Sequence, residues 1–567
     1  MKRYALGLDY GTNSVRSLLV DLADGTEVGS MVFHYPSGEM GILLDEKDPH
    51  VARQNPQDYL DGLVAATRGA LAQAAGKLPD FDPSQVVGIG VDTTGSTPIP
   101  VDRQGTPLGL KPEFSGVLAA QVWLWKDHTA YAEAAEITAR ASEMRPHYLA
   151  KCGGTYSSEW FWSKILRIRR TAPEVFAAAH SFVEHCDWIP AVLTGTTDPA
   201  VMSRSICAAG HKAFFNIEWG GLPDAEFLSA LDPALAELRD RLYVDAQTAD
   251  RPAGALTAEW AALLGLPEGI VVATGAFDVH MGAVAAGISE GTLVKVLGTS
   301  TCDVMVVDAS RPLPDIPGLC GVVHGSILPG YYGLEAGQSA VGDIFLWFVN
   351  HLVPESYGHS MAEKFAGLEA EMATLRPGES GLLALDWNNG NRSILVDVRL
   401  TGLLLGQTLH TTAGEMYRAL IEATAFGALT IIKRLEEYGV HVDEVVNTGG
   451  LAIKNAALMQ IYADVLGRPM KVAQSEQTCA LGAAMFGAVA AGAFASLPEA
   501  QRVICRTRDV VYHPNADAHA VYGELYALYR TLHDAFGSAD AFGSATGSGQ
   551  LASVMKDLLA LRARVTV

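Results

Sequence analysis

Gly11-Thr12-Asn13-Ser14 and Gly298-Thr299-Ser300-Thr301 say nearly the same thing at two places about half the chain apart. The first lies between strand-like runs, Tyr4 to Leu8 and Val15 to Val20. The second lies between Leu293 to Leu297 and Val304 to Val307. A small, hydroxyl-rich turn between two strands offers backbone N–H groups and side-chain hydroxyls to an anion. An ordinary hairpin has the same composition, so either turn alone carries little weight. Their duplication predicts a phosphate chain held between two related halves, and so nucleotide chemistry in a cleft.

The same repetition organises the rest of the chain. The opening reads as a meander of Tyr4–Leu8, Val15–Asp21 and Glu27–Phe33, with a turn at Asp24-Gly25, and a meander recurs over Thr292–Asp308. Helical patterning is expected from Pro56 to Ala75, Pro56 suiting a first helical turn. It is expected again over 119–142, 158–171, 173–179, 360–375, 413–438 and 455–466. Short apolar runs at Val86–Val91, Val271–Thr274 and Glu444–Asn447 read as strands, the first two buried. The fold class is therefore α/β, with strand–helix alternation in two halves. The expected division is 1–287, 288–535 and a tail, 536–567, whose Gly/Ser runs read as a linker before a short helix.

With 567 residues, of which 49% are hydrophobic, the chain fills more than one core. Its 63 acidic and 41 basic residues leave a formal charge of −22. Such a surface repels nucleic acid and anionic membrane, so neither is expected as a partner, and a phosphorylated ligand must be held by local groups. Seven scattered cysteines with no CxxC pair suit a reducing cytoplasm. The uncharged run from Ala480 to Leu497 is mostly Ala and Gly, which predicts a tightly packed internal helix rather than a membrane span.

Ala5–Asp21 (ALGLDYGTNSVRSLLVD) resembles the opening of the FGGY carbohydrate kinases, a family of the actin-like ATPase superfamily. The resemblance runs from residue 1 to about residue 535. It continues through Gly88–Pro98 (GIGVDTTGSTP), Leu124–Thr129 (LWKDHT), Gly153–Trp162 (GGTYSSEWFW), Ala209–Lys212 (AGHK), Gly275–Gly282 (GAFDVHMG), Leu297–Asp303 (LGTSTCD), Gly333–Asp343 (GLEAGQSAVGD) and Asp386–Arg392 (DWNNGNR). Many members have Trp-x-Asp-x-Arg where this chain has Trp125-Lys126-Asp127-His128-Thr129, and Thr129 in place of that arginine is similar to the ribulose-phosphorylating branch.

The resemblance implies two ribonuclease H-like domains, each a mixed sheet with flanking helices, around a central cleft. It implies phosphoryl transfer from ATP to the 5-hydroxyl of L-ribulose in L-arabinose breakdown, in a protein expected to be a homodimer. Asp278 follows an apolar strand and a Gly275-Ala276 turn, which would project it into a cleft. The family match makes it the base that takes the hydroxyl proton, where position alone would equally make it a helix cap. Asp9, beside the first turn, would repel phosphate unless a cation intervened, so it is read as a ligand of Mg2+, directly or through water. Gly11, Thr12, Asn13, Ser14, Gly298 and Thr299 would contact phosphates, and Gly449-Gly450 would admit adenosine. Gly95, Lys212, Asp278 and Glu335 match the family's sugar positions. Related proteins can carry alanine at Gly95, so that wall is expected to be slightly roomier here. His128, His211 and His280 have no metal-ligand spacing and are read as structural, and Trp160-Phe161-Trp162 as core. Asp92 and Asp127 are candidate sugar contacts without a rank. Kinases of other pentuloses or pentitols (D-ribulose, ribitol, D-xylulose) are the near alternatives. A non-catalytic sensor and a chaperone-like ATPase are the distant ones.

Overall fold

The N-terminal run does fold as a meander. Tyr4–Tyr10 (β1), Ser14–Asp21 (β2) and Glu27–His34 (β3) pair antiparallel in sequence, and Val86–Thr93 (β4) lies parallel to β1. Pro252–Ala255 (β5), Val271–Ala273 (β6) and Ala276–Phe277 (β7) complete a seven-stranded sheet ordered β3-β2-β1-β4-β6-β5, with β7 also on β4. These bounds come from a computed structural model, which describes residues 2–537 and 549–565. Helix Pro56–Lys77 (α1) covers β2 and β3. Its entry follows its sequence: Asn55 accepts from the Gln57 N–H at 3.0 Å, and Pro56 fills the first turn, where no N–H is needed.

Between β4 and β5 the chain leaves the sheet for a mostly helical region with its own aromatic core, in which Trp160, Phe161 and Trp162 are all buried. Helix Ile206–Lys212 (α2) belongs to this region and returns Lys212 toward the cleft. The helix expected over 119–142 is confined to Tyr131–Met144. Before it, Val122–Trp123 forms a short strand and residues 124–130 wrap as a loop. Asp127 imposes that loop: it accepts from the N–H of Ala52 at 2.8 Å, the N–H of Thr129 at 3.2 Å and the Thr129 hydroxyl at 2.6 Å. An Asp that caps its own following residues competes with helix.

The second half repeats the plan. Gly291–Leu297 (β8) and Thr301–Asp308 (β9) form the antiparallel pair. Gly321–His324 (β10), Tyr331–Ala336 (β11), Val442–Thr448 (β12) and Met470–Val472 (β13) complete a sheet ordered β10-β11-β9-β8-β12-β13, with β12 parallel to β8. The predicted helices over 360–375, 413–438 and 455–466 are present at Met361–Met372, Ala413–Glu437 and Ala456–Leu466.

Two small-residue helices join the halves. Asp278–Ala285 (α3) leaves the first sheet and Thr478–Ala490 (α4) leaves the second, and they pack on each other. A Cβ on Gly482 of α4 would lie 2.0 Å from the Met281 carbonyl oxygen. Helix α4 also lies flat on β1 and β4: a Cβ on Gly7 or Gly90 would come within 1.8 Å of the carbonyl oxygens of Ala480 and Ala483. The alanine- and glycine-rich composition that predicted an internal helix thus serves a backbone-on-backbone contact, and it crosses to the other half. Among the described residues no helix is long and apolar enough to span a membrane.

The expected Gly/Ser linker falls on residues 538–548, outside the described residues. Helix Gly549–Val565 (α5) follows it and docks on the second half, with Met555 buried and Lys556 2.8 Å from Asp397.

Candidate active site

Strand register assembles three carboxyl groups at one end of the first sheet. Asp9 pairs across β1 and β2 with Arg16, and across β1 and β4 with Asp92. Ala276 pairs with Asp92 and Phe277 with Thr93, so Asp278, the next residue, emerges beside them as the first residue of α3. The carboxylate there sits at the positive end of a helix. It is not the cap: its Oδ1 accepts only from the adjacent Val279 N–H, at 2.7 Å.

The electrostatics are those of crowded acids. Arg16 Nη1 lies 3.3 Å from Asp9 Oδ2. Burial raises the Asp9 carboxyl, against the pull of Arg16. Asp92 is fully buried, neither of its oxygens finds a hydrogen-bond donor, and burial followed by the fields of Asp9 and Asp278 pushes it well up. Burial, and then the Asp9 charge, bring Asp278 up to about 7. Cys479, in the first turn of α4, feels all three acids. An orphaned buried carboxyl beside two others suits a hard divalent cation.

Each predicted phosphate turn keeps open donors. In the first, the Gly11 N–H donates to the Ser14 carbonyl at 2.9 Å, while the N–H groups of Thr12 and Asn13 have no protein acceptor among the described residues. The side chains are more committed than expected. Thr12 Oγ1 accepts from the Trp125 indole at 3.0 Å, and the Asn13 amide donates to the Met40 carbonyl at 2.7 Å. In the second turn the Gly298 N–H donates to Ser300 O at 3.1 Å. The carbonyls of Gly298 and Thr299 accept from the start of the helix Gly342–Leu352, and the N–H groups of Thr299 and Ser300 have no protein acceptor among the described residues. The two glycines at 449 and 450 differ. Gly449 has φ +92°, and a Cβ on it would lie 2.4 Å from the Leu297 carbonyl, so it lets β12 close on the second turn; Gly450 faces open space. Only the latter has room for a ligand.

The other three sugar-position residues gather near Asp278: Gly95 against the ring of the preceding Phe277, and Glu335, paired with Lys212, within reach of its field. Lys212 Nζ lies 3.2 Å from Glu335 Oε1 and 5.2 Å above the Trp160 ring. Although burial opposes it, the Lys212 charge holds Glu335 well below the usual carboxylate range. Two histidines set aside in the sequence also gather here: His280 Nε2 and His211 Nδ1 lie 3.4 and 3.5 Å from Glu335 Oε2. Against burial, Cys207 and Glu335 raise His280 to about 10, and with Lys212 already on Glu335 the group is an ion-pair cluster, a poor metal centre despite its spacing. His128 is elsewhere, 3.9 Å from Glu159. Gly95 is not a roomier wall: a Cβ there would meet the Phe277 ring at 2.3 Å, so that ring already fills the space. Asp127 is spent on its loop and on an ion pair with Arg53, which leaves it no free face for a sugar. Behind Gly95, buried Lys164 donates to Ser96 O at 2.9 Å and Leu124 O at 2.8 Å, while Glu184 accepts from the Ser96 hydroxyl and the Thr97 N–H. Sequence reasoning missed Arg16 and this pair, and it offered Asp92 only as a sugar contact, not as a neighbour of Asp9. Asp92 had a signal: Leu6-Gly7-Leu8-Asp9 and Ile89-Gly90-Val91-Asp92 share one pattern, as two strands meeting in register would.

The chain matches two family models, the N-terminal domain of the FGGY family of carbohydrate kinases over residues 4–285 and the C-terminal domain over 293–491. A protein named ribulokinase from Shouchella clausii is 44% identical over 580 aligned residues, covering 100% of this chain and 99% of that one. Another of that name from Mycolicibacterium smegmatis is 43% identical, covering 94% of this chain and 94% of that one. Among solved structures, a xylulose kinase from Rhodospirillum rubrum superposes with a TM-score of 0.77 at 26% identity, over 94% of this chain and 99% of its own.

Proposed function

This chain belongs to the FGGY family of carbohydrate kinases and is an ATP-dependent sugar kinase, and we propose that its sugar is L-ribulose, phosphorylated at the 5-hydroxyl to give L-ribulose 5-phosphate and ADP, in L-arabinose catabolism. The observation that carries the reading is the position of Asp278. It emerges beside Asp9 and Asp92, next to the first turn, and within the field of Glu335, which Lys212 pairs. Full-length similarity to proteins named ribulokinase supports the choice of sugar.

In this reading the sugar hydroxyl gives its proton to Asp278 as its oxygen bonds to the γ-phosphorus. The bond from that phosphorus to the β,γ-bridging oxygen breaks, and its electron pair leaves with ADP. A base with a pKa near the working pH is well matched to that step. Lys212 and Glu335 orient the sugar; Gly95, backed by Phe277, bounds it. Thr12, Asn13, Thr299 and Ser300 N–H groups hold the phosphates, and Gly450 borders the adenosine. Asp9, with Asp92 beside it, would hold Mg2+ largely through water; when bound, that ion neutralises phosphate charge and fixes the phosphate geometry. Most of the rate enhancement in such a transfer comes from positioning and charge stabilisation.

Two boundaries go with the proposal. We divide the chain at 287/288, supported by the two sheets and the two family-model spans, with 536–567 apart from both. A reducing cytoplasm is supported by seven cysteines that are all free. A homodimer rests on family expectation, and sedimentation tests it. The substrate test is initial rate of ADP release with Mg-ATP across L-ribulose, D-ribulose, ribitol and D-xylulose. L-ribulose is expected to give the highest kcat/KM; a higher value for xylulose removes the substrate claim.

A further inference from the structure

Among the described residues no carboxylate lies within ion-pair distance of Arg392, an arginine of the cleft. It lies on the loop that follows the short strand Leu383–Leu385, in the Asp386–Arg392 segment. Its Nη2 donates to Thr301 O at 3.1 Å and to Gln338 O at 3.4 Å. Thr301 is the residue at which β9 leaves the second phosphate turn, and Gln338 follows β11 three residues after Glu335. The guanidinium is thereby fixed by backbone between the turn read as a phosphate clamp and the acid read as a sugar contact.

Its other donors are unused. Nε and Nη1 make no protein hydrogen bond among the described residues and are not sealed from solvent, and no carboxylate lies within ion-pair distance. Arg16, beside the first turn, is instead tied to Asp9. The fields that reach Arg392 are those of Cys320, of Glu159 from the first half, and of Cys302 and Glu335 on the cleft face of the second sheet. A half-buried cation without an anion is costly in a protein, and a chain of net charge −22 has no shortage of anions to offer it. The loop is also braced: Asp386 is held by Gln338 at 2.7 Å and Tyr529 at 2.9 Å, and Asp397, paired in backbone with Asn391, by Lys556 of α5 at 2.8 Å.

We propose that Arg392 is a catalytic residue whose free guanidinium donors receive the phosphoryl group as it passes from the second turn to the sugar. The proposal rests on the kinase reading above. It asks of Arg392 only hydrogen bonds and charge at the three equatorial oxygens; the bond made and the bond broken are those already described. A planar fork of donors fixed before the reaction stabilises developing phosphoryl charge better than a mobile ammonium.

The test compares wild type with Arg392→Gln, Arg392→Lys and Arg392→Ala. With L-ribulose and Mg-ATP, Arg392→Gln is expected to lower kcat by about 10²-fold or more, with KM for the sugar changed less than about threefold. Arg392→Lys should recover only part of the loss. Added guanidinium ion should partly restore Arg392→Ala, an effect a purely structural arginine would not give. Equilibrium binding with Mg2+ supplies a readout without sugar: Arg392→Gln should weaken the β,γ-imido analogue of ATP relative to ADP. If wild type phosphorylates none of the pentuloses, the substrate reading fails while this binding ratio still judges Arg392. Unchanged kcat and binding ratio overturn the proposal, as does a loss that follows a lowered melting temperature and is not rescued by guanidinium.

Discussion

The two halves share one strand plan and use it for opposite chemistry. Counted from the turns, Asp9 of β1 corresponds to Val296 of β8, and their partners Asp92 and Thr448 correspond as well. The first half places two carboxyls where the second places a valine and a threonine. On the proposed reading the reason lies in the ligand: a triphosphate tolerates acids beside one turn only if a cation lies between, and the opposite turn would then grip it with neutral N–H groups and with Arg392. The same count pairs Gly7 with Val294 and Gly90 with Val446. Glycines let the first sheet take the backbone of α4 directly, whereas the valines of the second pack side chains against α3. Duplication supplied the scaffold, and divergence at four register positions made it asymmetric.

The asymmetry can be broken where it matters most. Asp278→Ala should lower kcat by about 10²–10⁴-fold with the fold intact, measured by coupled ADP release; near-normal turnover would remove the base. Val296→Asp would make the second half imitate the first without a cation to answer it. We expect KM for Mg-ATP to rise about tenfold, equivalent to roughly 1.4 kcal/mol, with KM for sugar little changed. An unaltered nucleotide KM would mean that the second turn does not face the phosphates. The smallest effect on chemistry and the clearest on stability belongs to Gly90→Ala. Its methyl would lie 1.8 Å from the Ala483 carbonyl, so α4 must move, at a cost of about 1–3 kcal/mol read as a lower melting temperature. Gly76→Ala, near the end of α1 and facing nothing within 4 Å, is the control and should be neutral or slightly stabilising.

What the sequence disclosed follows from which signals are local. The meanders were legible because period-two apolar runs bounded by Gly-Thr turns are written in adjacent residues. The internal helix expected over Ala480–Leu497 was legible from composition, though it ends at Ala490, but its crossing to the first sheet was not, since nothing near Gly487 in sequence names Ile89 as its neighbour. The continuous helix expected across Trp125–Thr129 failed because Asp127 spends its carboxylate on the backbone of a distant segment, at Ala52. Asp278, Lys212 and Glu335 came from family motifs, and the structure sets the last two against each other. That His211 and His280 meet at Glu335 was not legible, because spacing along a chain says little about three elements converging on one residue. Arg392 was quoted only as part of a motif, and its lack of an anion is visible only in three dimensions.

The central claim is that the acids of the first half keep Asp278 poised as a base. The direct measurement is the pH dependence of kcat/KM with both substrates limiting, which reads the free enzyme, in wild type and in Asp9→Asn. Asp278 must be ionised to act, so activity should fall with a single-proton limb as pH drops through about 7. In Asp9→Asn, whose overall rate is also expected to be lower, burial remains but one repelling charge is gone, so the limb should move to lower pH. A wild-type profile flat down to the ordinary carboxylate range, or a limb that stays in place when Asp9 is neutralised, would contradict the account.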